Sequence, residues 1–156
     1  QYWLQKVCKS LPTAMSADAT AVQAVLQTAI SEKCKDVDSL LLGHPAAQQL
    51  PAAGLEPLVA CSIRQASREV SEHLSVQLLQ LPAAQQLTAG SGGRLLHVAL
   101  HHQRCMALKQ LCGLPGTQQL QPLELQPLLL TAVMMHEKDY VSMLCTLEVR
   151  GDVLLK

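Results

Sequence analysis

A chain of 156 residues accommodates one ordinary domain or about four structural units of some 33 residues each. Its hydrophobic content of 49% includes only 2% aromatics, and 30 Leu, 18 Ala and 17 Gln stand against no Phe, which excludes an all-β sandwich or barrel and the aromatic platforms that stack single-stranded nucleic acid. Twelve basic residues balance twelve acidic ones without a like-charged block, and the longest uncharged apolar run, residues 127–135, is shorter than the ~20 residues of a membrane span, so neither direct nucleic-acid binding nor membrane binding is expected.

Residues 1–18 read as an N-terminal flank or cap with two early lysines and no signal-peptide cleavage pattern. The chain begins at Gln1, which suggests a piece excised from a longer intracellular protein of the nucleus or cytoplasm. A first helix is expected over residues 19–31, with Ser16 or Asp18 as its cap, and a second over residues 35–42, stopped by Gly43 and Pro45. Pro45-Ala46-Ala47-Gln48-Gln49-Leu50 then recurs as Pro82-Ala83-Ala84-Gln85-Gln86-Leu87 and, degraded, as Pro115-Gly116-Thr117-Gln118-Gln119-Leu120. An apolar helix start follows each copy, at Pro57-Leu58, Leu95-Leu96 and Pro127-Leu128. The Gly-, Pro- and amide-rich stretches 43–54, 82–93 and 113–126 therefore read as loops. In the third unit the two helices are expected over residues 95–101 and 105–112.

Leu26, Leu58, Leu96 and Leu128 mark a recurring phase whose middle interval is longer than the two equal intervals on either side. The longer unit then holds five or six extra residues, most simply in its second helix near residues 67–79. Recurrence at this length marks stacked units that cannot bury their apolar faces alone. The expected fold is all-α, a short α-solenoid of helix-turn-helix repeats over residues 19–50, 51–87, 88–120 and 121–156 of a single domain. A HEAT-like array and a non-repeat helical bundle are the alternatives.

Leu96-His97-Val98-Ala99 resembles the L-H-x-A core of ankyrin repeats, and Pro127-Leu128 with Ala132, His136, Val141 and Leu144 is similar to their two-helix span. Pro57-Leu58 supplies a P-L start, and Arg150-Gly151-Asp152-Val153 looks like the turn after the second helix. The resemblance covers residues 20–153 and implies a divergent ankyrin-like array with poor or absent hairpins. The family's inter-helix Gly is replaced by Lys33, by the region near Gln65, by Gln103 and by Met135. The resemblance also implies that His97 hydrogen-bonds locally at the start of its helix.

The densest group of metal-ligating side chains is His97, His101, His102 and Cys105. On one helix its first and last members would lie ~12 Å apart, too far for one ion, and no H-E-x-x-H, P-loop or nucleophile-elbow motif is present. The six cysteines are spread through apolar patterns and read as free thiols. No cofactor, metal or catalytic residue is assigned. The expected function is non-enzymatic binding of a protein partner through loop tips and first helices, at Gln48, Gln49, Gln85, Gln86, His101, His102, Arg104, Gln118, Gln119, Met135, Glu137 and Lys138. The alternative is a homo-oligomer or assembly subunit of a multiprotein complex.

Overall fold

The structure is a computed structural model that describes residue 2 and residues 19–32, 42–65 and 67–153, with Ala19 and residues 148–153 described by backbone only. Among the described residues there are seven α-helices and no strand, so the chain is all-α. They are α1 (Ala19–Ser31), α2 (Ala52–Ile63), α3 (Arg68–Leu79), α4 (Ala89–His101), α5 (Cys105–Cys112), α6 (Pro122–Met134) and α7 (Lys138–Val153). Short 3-10 turns at Pro45–Gln49, Pro82–Gln86 and Thr117–Gln119 precede α2, α4 and α6. Each copy of the hexapeptide is thus an ordered turn, and the described pairs repeat the order turn, helix, helix.

First helices begin at Ala19, Ala52, Ala89 and Pro122, so the first and third intervals are equal and the middle one is longer. Second helices begin at Arg68, Cys105 and Lys138, with the same longer and shorter intervals in turn. In this register Leu26, Val59, Leu96 and Leu129 are equivalent, and so are Val25, Leu58, Leu95 and Leu128. The leucines 26, 58, 96 and 128 therefore mix two neighbouring positions, both on the apolar face. A small residue follows at Ala29, Ser62, Ala99 and Ala132, all fully buried. The extra length of the second unit does lie in its second helix, but it is four residues: α3 has 12 residues and α5 has 8. Four residues are close to one turn of 3.6, so the insertion lengthens α3 without rotating its buried face.

The first helices start earlier than expected. Residues 52–54, 89–93 and 122–126 are helical rather than loop, and at the last two starts local caps outweigh the poor helix formers. The Thr88 hydroxyl accepts from the Ser91 backbone N–H at 3.2 Å, and Glu124 accepts from the Gln121 N–H at 2.9 Å in a capping box. Pro122 occupies the first turn of α6, where a missing N–H is harmless. Pro57 and Pro127 consequently lie inside α2 and α6 instead of opening them. Each withholds one hydrogen bond, from the carbonyls of Ala53 and Leu123, both on exposed residues that water reaches. His97 likewise sits deep in α4, exposed, and not at a helix start.

The turns α4–α5 and α6–α7 keep the left-handed conformation without glycine. Gln103 has φ 55° and His136 φ 57°; the second lies one residue beyond the expected Met135. Around Gln103 the Arg104 N–H reaches the Ala99 carbonyl at 2.9 Å and the Gln103 N–H reaches Leu100 at 3.0 Å, a Schellman pair. Glu137 to Ala132 at 3.4 Å and His136 to Val133 at 3.0 Å repeat it after α6. Residues 150–153 continue α7 as helix, where a turn was expected. Lys33, Ser16, Asp18, residues 35–41 of the second expected helix, Cys8 and Cys34 lie outside the described residues.

The chain divides into two compact units, Gln1–Ala84 and Gln85–Lys156. In the first, α1 packs on α2 and α2 on α3. A buried serine cluster joins α2 to α3: Ser62 and Ser75 share a hydroxyl hydrogen bond of 2.9 Å, and Ser71 donates to the Ser62 carbonyl at 2.7 Å. In the second unit α4 packs on α6 and α5 on α7, with α4–α5 and α6–α7 closing two layers. Leu95, Leu96, Leu100, Leu108, Leu111 and Leu125 fill its core, each burial contributing roughly 1.5–3 kcal/mol. The 3-10 turn before α6 is sealed there: Thr117 donates its hydroxyl to the Leu111 and Leu114 carbonyls, and a β-carbon at Gly116 would overlap the Leu87 carbonyl.

Candidate interaction surface

The turns place their glutamines by a simple alternation. Ala47, Ala84 and Thr117 point into the core, as do Leu50, Leu87 and Leu120, which leaves the two residues between them on the outside. Gln48, Gln49, Gln85, Gln86 and Gln119 are exposed. Gln118 is half-buried and donates to the Gly113 carbonyl at 3.3 Å, so it holds the end of α5.

A second surface emerges from the register. Along each first helix, four positions at spacings of 4, 3 and 4 residues share one face. They are Thr20, Ala24, Gln27 and Ser31 in α1, and Ala53, Pro57, Ala60 and Arg64 along and just past α2. The same positions are Gly90, Arg94, His97 and His101 in α4, and Leu123, Pro127, Leu130 and Met134 in α6. All are exposed except Ala60, which is half-buried. In α4 this row is polar; in α6 it is apolar, with Leu123 80%, Leu130 61% and Met134 72% exposed, and Val133 beside it 55% exposed.

His101 and His102 follow at the end of α4, their rings 5.1 Å apart at 62°. Glu137 is exposed in the turn between α6 and α7 and Lys138 at the first position of α7, and Met135 is half-buried at the end of α6. Arg104 is only 7% exposed, so its side chain is set into the unit rather than presented outward. Leu123, Leu130 and Val133 are not among the residues expected from the sequence. Their signal was present: residues 122–134 are apolar on more than the one stripe that a partner helix can cover, so the surplus had to face outward.

Beyond the short end of α5 lies a cavity of about 270 Å³ lined by Lys109, Cys112, Gly113, Ser142, Met143, Thr146 and Leu147. Burial pushes the Cys112 thiol up to about 11, which keeps it protonated at neutral pH and unsuited to nucleophilic chemistry. Cys61, Cys105, Cys112 and Cys145 are all free. Among the described residues no three His, Cys, Asp or Glu side chains gather as a metal site, and His97, His101, His102 and Cys105 do not converge. No helix among them is long and apolar enough to cross a membrane. No family model, curated protein or solved structure matches the chain.

Proposed function

We propose that this chain is a non-enzymatic protein-binding module, an ankyrin-like α-solenoid of helix pairs that acts as an adaptor inside the cell. The observation that carries the reading is the exposed row on successive first helices: the same register positions stay outside while their neighbours are buried, and in α6 they expose large apolar side chains. Contiguous exposed apolar surface of this kind marks interaction sites in soluble proteins. The outward glutamines of the turns add uncharged donors and acceptors beside it. The recurrence of helix starts at ankyrin-like intervals and the left-handed inter-helix turns support the ankyrin-like form; the interior prolines and the 3-10 turns mark its divergence. The four cysteines among the described residues are free, which suits a reducing compartment of the nucleus or cytoplasm.

The test is affinity capture from cell extract with the full chain, alongside a variant carrying Leu123→Ser, Leu130→Ser and Met134→Ser whose helicity and melting are verified. Proteins held by the parent and lost by the variant support the module. An empty capture, or one identical for both, removes it.

A second reading, an assembly subunit, is favoured by one observation. Leu26 and Ile30 of α1 and Leu96 and Leu100 of α4 are buried, whereas the equivalent Leu129 is half-buried and Val133 is 55% exposed. Light scattering on the purified chain separates the two, since a defined oligomer selects assembly and a monomer selects the adaptor.

A further inference from the structure

Net neutrality of the chain conceals a segregation of charge. No Asp or Glu occurs between Glu72 and Glu124, while Arg94, His97, His101, His102, Arg104 and Lys109 fall within that stretch. Helices α4 and α5 therefore carry cationic and imidazole groups with no carboxylate of their own. On α4, Arg94, His97 and His101 occupy the exposed row. The Arg94 guanidinium donates to the Ser91 hydroxyl at 3.2 Å along the same helix, which steadies it at the surface. A guanidinium fork matches a carboxylate in two parallel hydrogen bonds, and imidazoles four residues apart add donors along the same line.

One repeat on, α6 packs against α4, and the equivalent row is Leu123, Leu130 and Met134 with Pro127 between them. Equal register positions on stacked first helices share a surface, so a row of one guanidinium and two imidazoles lies beside an apolar one within the second unit. Leu123, Leu130 and Met134 at spacings of seven and four residues present the side chains that an amphipathic helix meets with its own i, i+3, i+4 and i+7 positions. Nucleic acid fits poorly, because a phosphate backbone laid along Arg94, His97 and His101 would leave the large exposed leucines against water.

Resting on the reading of the chain as a protein-binding module, we infer that the second unit docks an acidic amphipathic segment. Its leucine-type side chains cover Leu123, Leu130 and Met134, and its carboxylates lie on Arg94, His97 and His101.

The probe is a fluorescent synthetic helical peptide with a leucine face flanked on one side by glutamates, titrated by anisotropy into the full chain. Two control peptides replace Glu by Lys or Leu by Ser. The expected result is binding of the Glu–Leu peptide at least about tenfold tighter than either control. A variant with Leu130→Ser and Met134→Ser loses it, and one with Arg94→Glu, His97→Glu and His101→Glu reverses the preference toward the Lys peptide, melting curves confirming both folds. Equal binding of the three peptides, no binding of any, or retention by both variants overturns the inference. So does a dimer in light scattering that Met134→Ser dissociates, which makes a second copy the occupant. Extract capture that depends on the α6 row while the peptide preference is absent removes the acidic segment and leaves the module; empty capture removes both.

Discussion

The Ser71 hydroxyl donates to the Ser62 carbonyl at 2.7 Å, the register counterpart of the Ala99 carbonyl that takes the Arg104 N–H at 2.9 Å in the following pair. The end of a first helix must satisfy its carbonyls. In the first pair the Gln65 backbone N–H also reaches the Ser62 carbonyl at 3.2 Å, so the serine adds a side-chain donor to a backbone turn, while the next pair uses the backbone turn.

Ser71→Ala removes a buried donor to the Ser62 and Ile63 carbonyls while the Gln65 N–H still reaches Ser62, and is expected to destabilise the chain by about 0.5–1.5 kcal/mol in urea unfolding. Ser62 and Ser75 pair with each other, so Ser62→Ala and Ser75→Ala combined should cost less than the sum of the singles. Strict additivity in the double-mutant cycle would show that the serines act separately.

The two left-handed residues among those described make an opposite test. Gln103 at φ 55° and His136 at φ 57° carry a β-carbon where glycine is favoured. Gln103→Gly should stabilise by about 0.5–1 kcal/mol after the unfolded-state entropy of glycine is deducted, while Gln103→Val should destabilise by more than that. A loss of melting temperature for Gln103→Gly would contradict the turn.

Glycines are expected to divide by their surroundings. At Gly116 a β-carbon meets the Leu87 carbonyl, so Gly116→Ala forces backbone apart and should cost about 1–3 kcal/mol or more. At Gly90 the nearest atom is an Arg94 guanidinium nitrogen at 3.7 Å, and Gly90→Ala in α4 should be stabilising by about 0.4–1 kcal/mol. Thermal melts of the two variants moving in the same direction would contradict the packing of the turn before α6.

Cys112 supplies a pH dependence. Its folded value is raised by burial to about 11, above the ordinary thiol value of ~8.5. Between these values the unfolded chain has released the proton that the folded chain retains, so stability is full below the lower value and falls as pH climbs through the window. Cys112→Ala should flatten that fall in denaturation series run from neutral to alkaline pH, and alkylation at pH 8 should modify Cys112 more slowly than the other free thiols.

Length, composition and the hexapeptide by themselves determined an all-helical chain of recurring helix pairs, the end of α5 at Gly113 and the extra length in α3. These follow from local causes: helix formers, breakers and an apolar period. The helix starts at Ala52, Ala89 and Pro122 were hidden, since Gly, Pro and amide residues read as loop; for the last two, Thr88 and Glu124 are the caps that decide it. Among the candidate site residues, the outward glutamines were legible from their recurrence in the turns; Arg104 was not, because only packing decides whether a charged side chain after a turn is covered. The tertiary structure alone decided which apolar face of α6 is buried against α4 and which remains outside. A helix apolar on several sides does not say in its sequence which side its neighbours will cover, and the side they leave open, at Leu123, Leu130 and Met134, is the one that carries the proposed function.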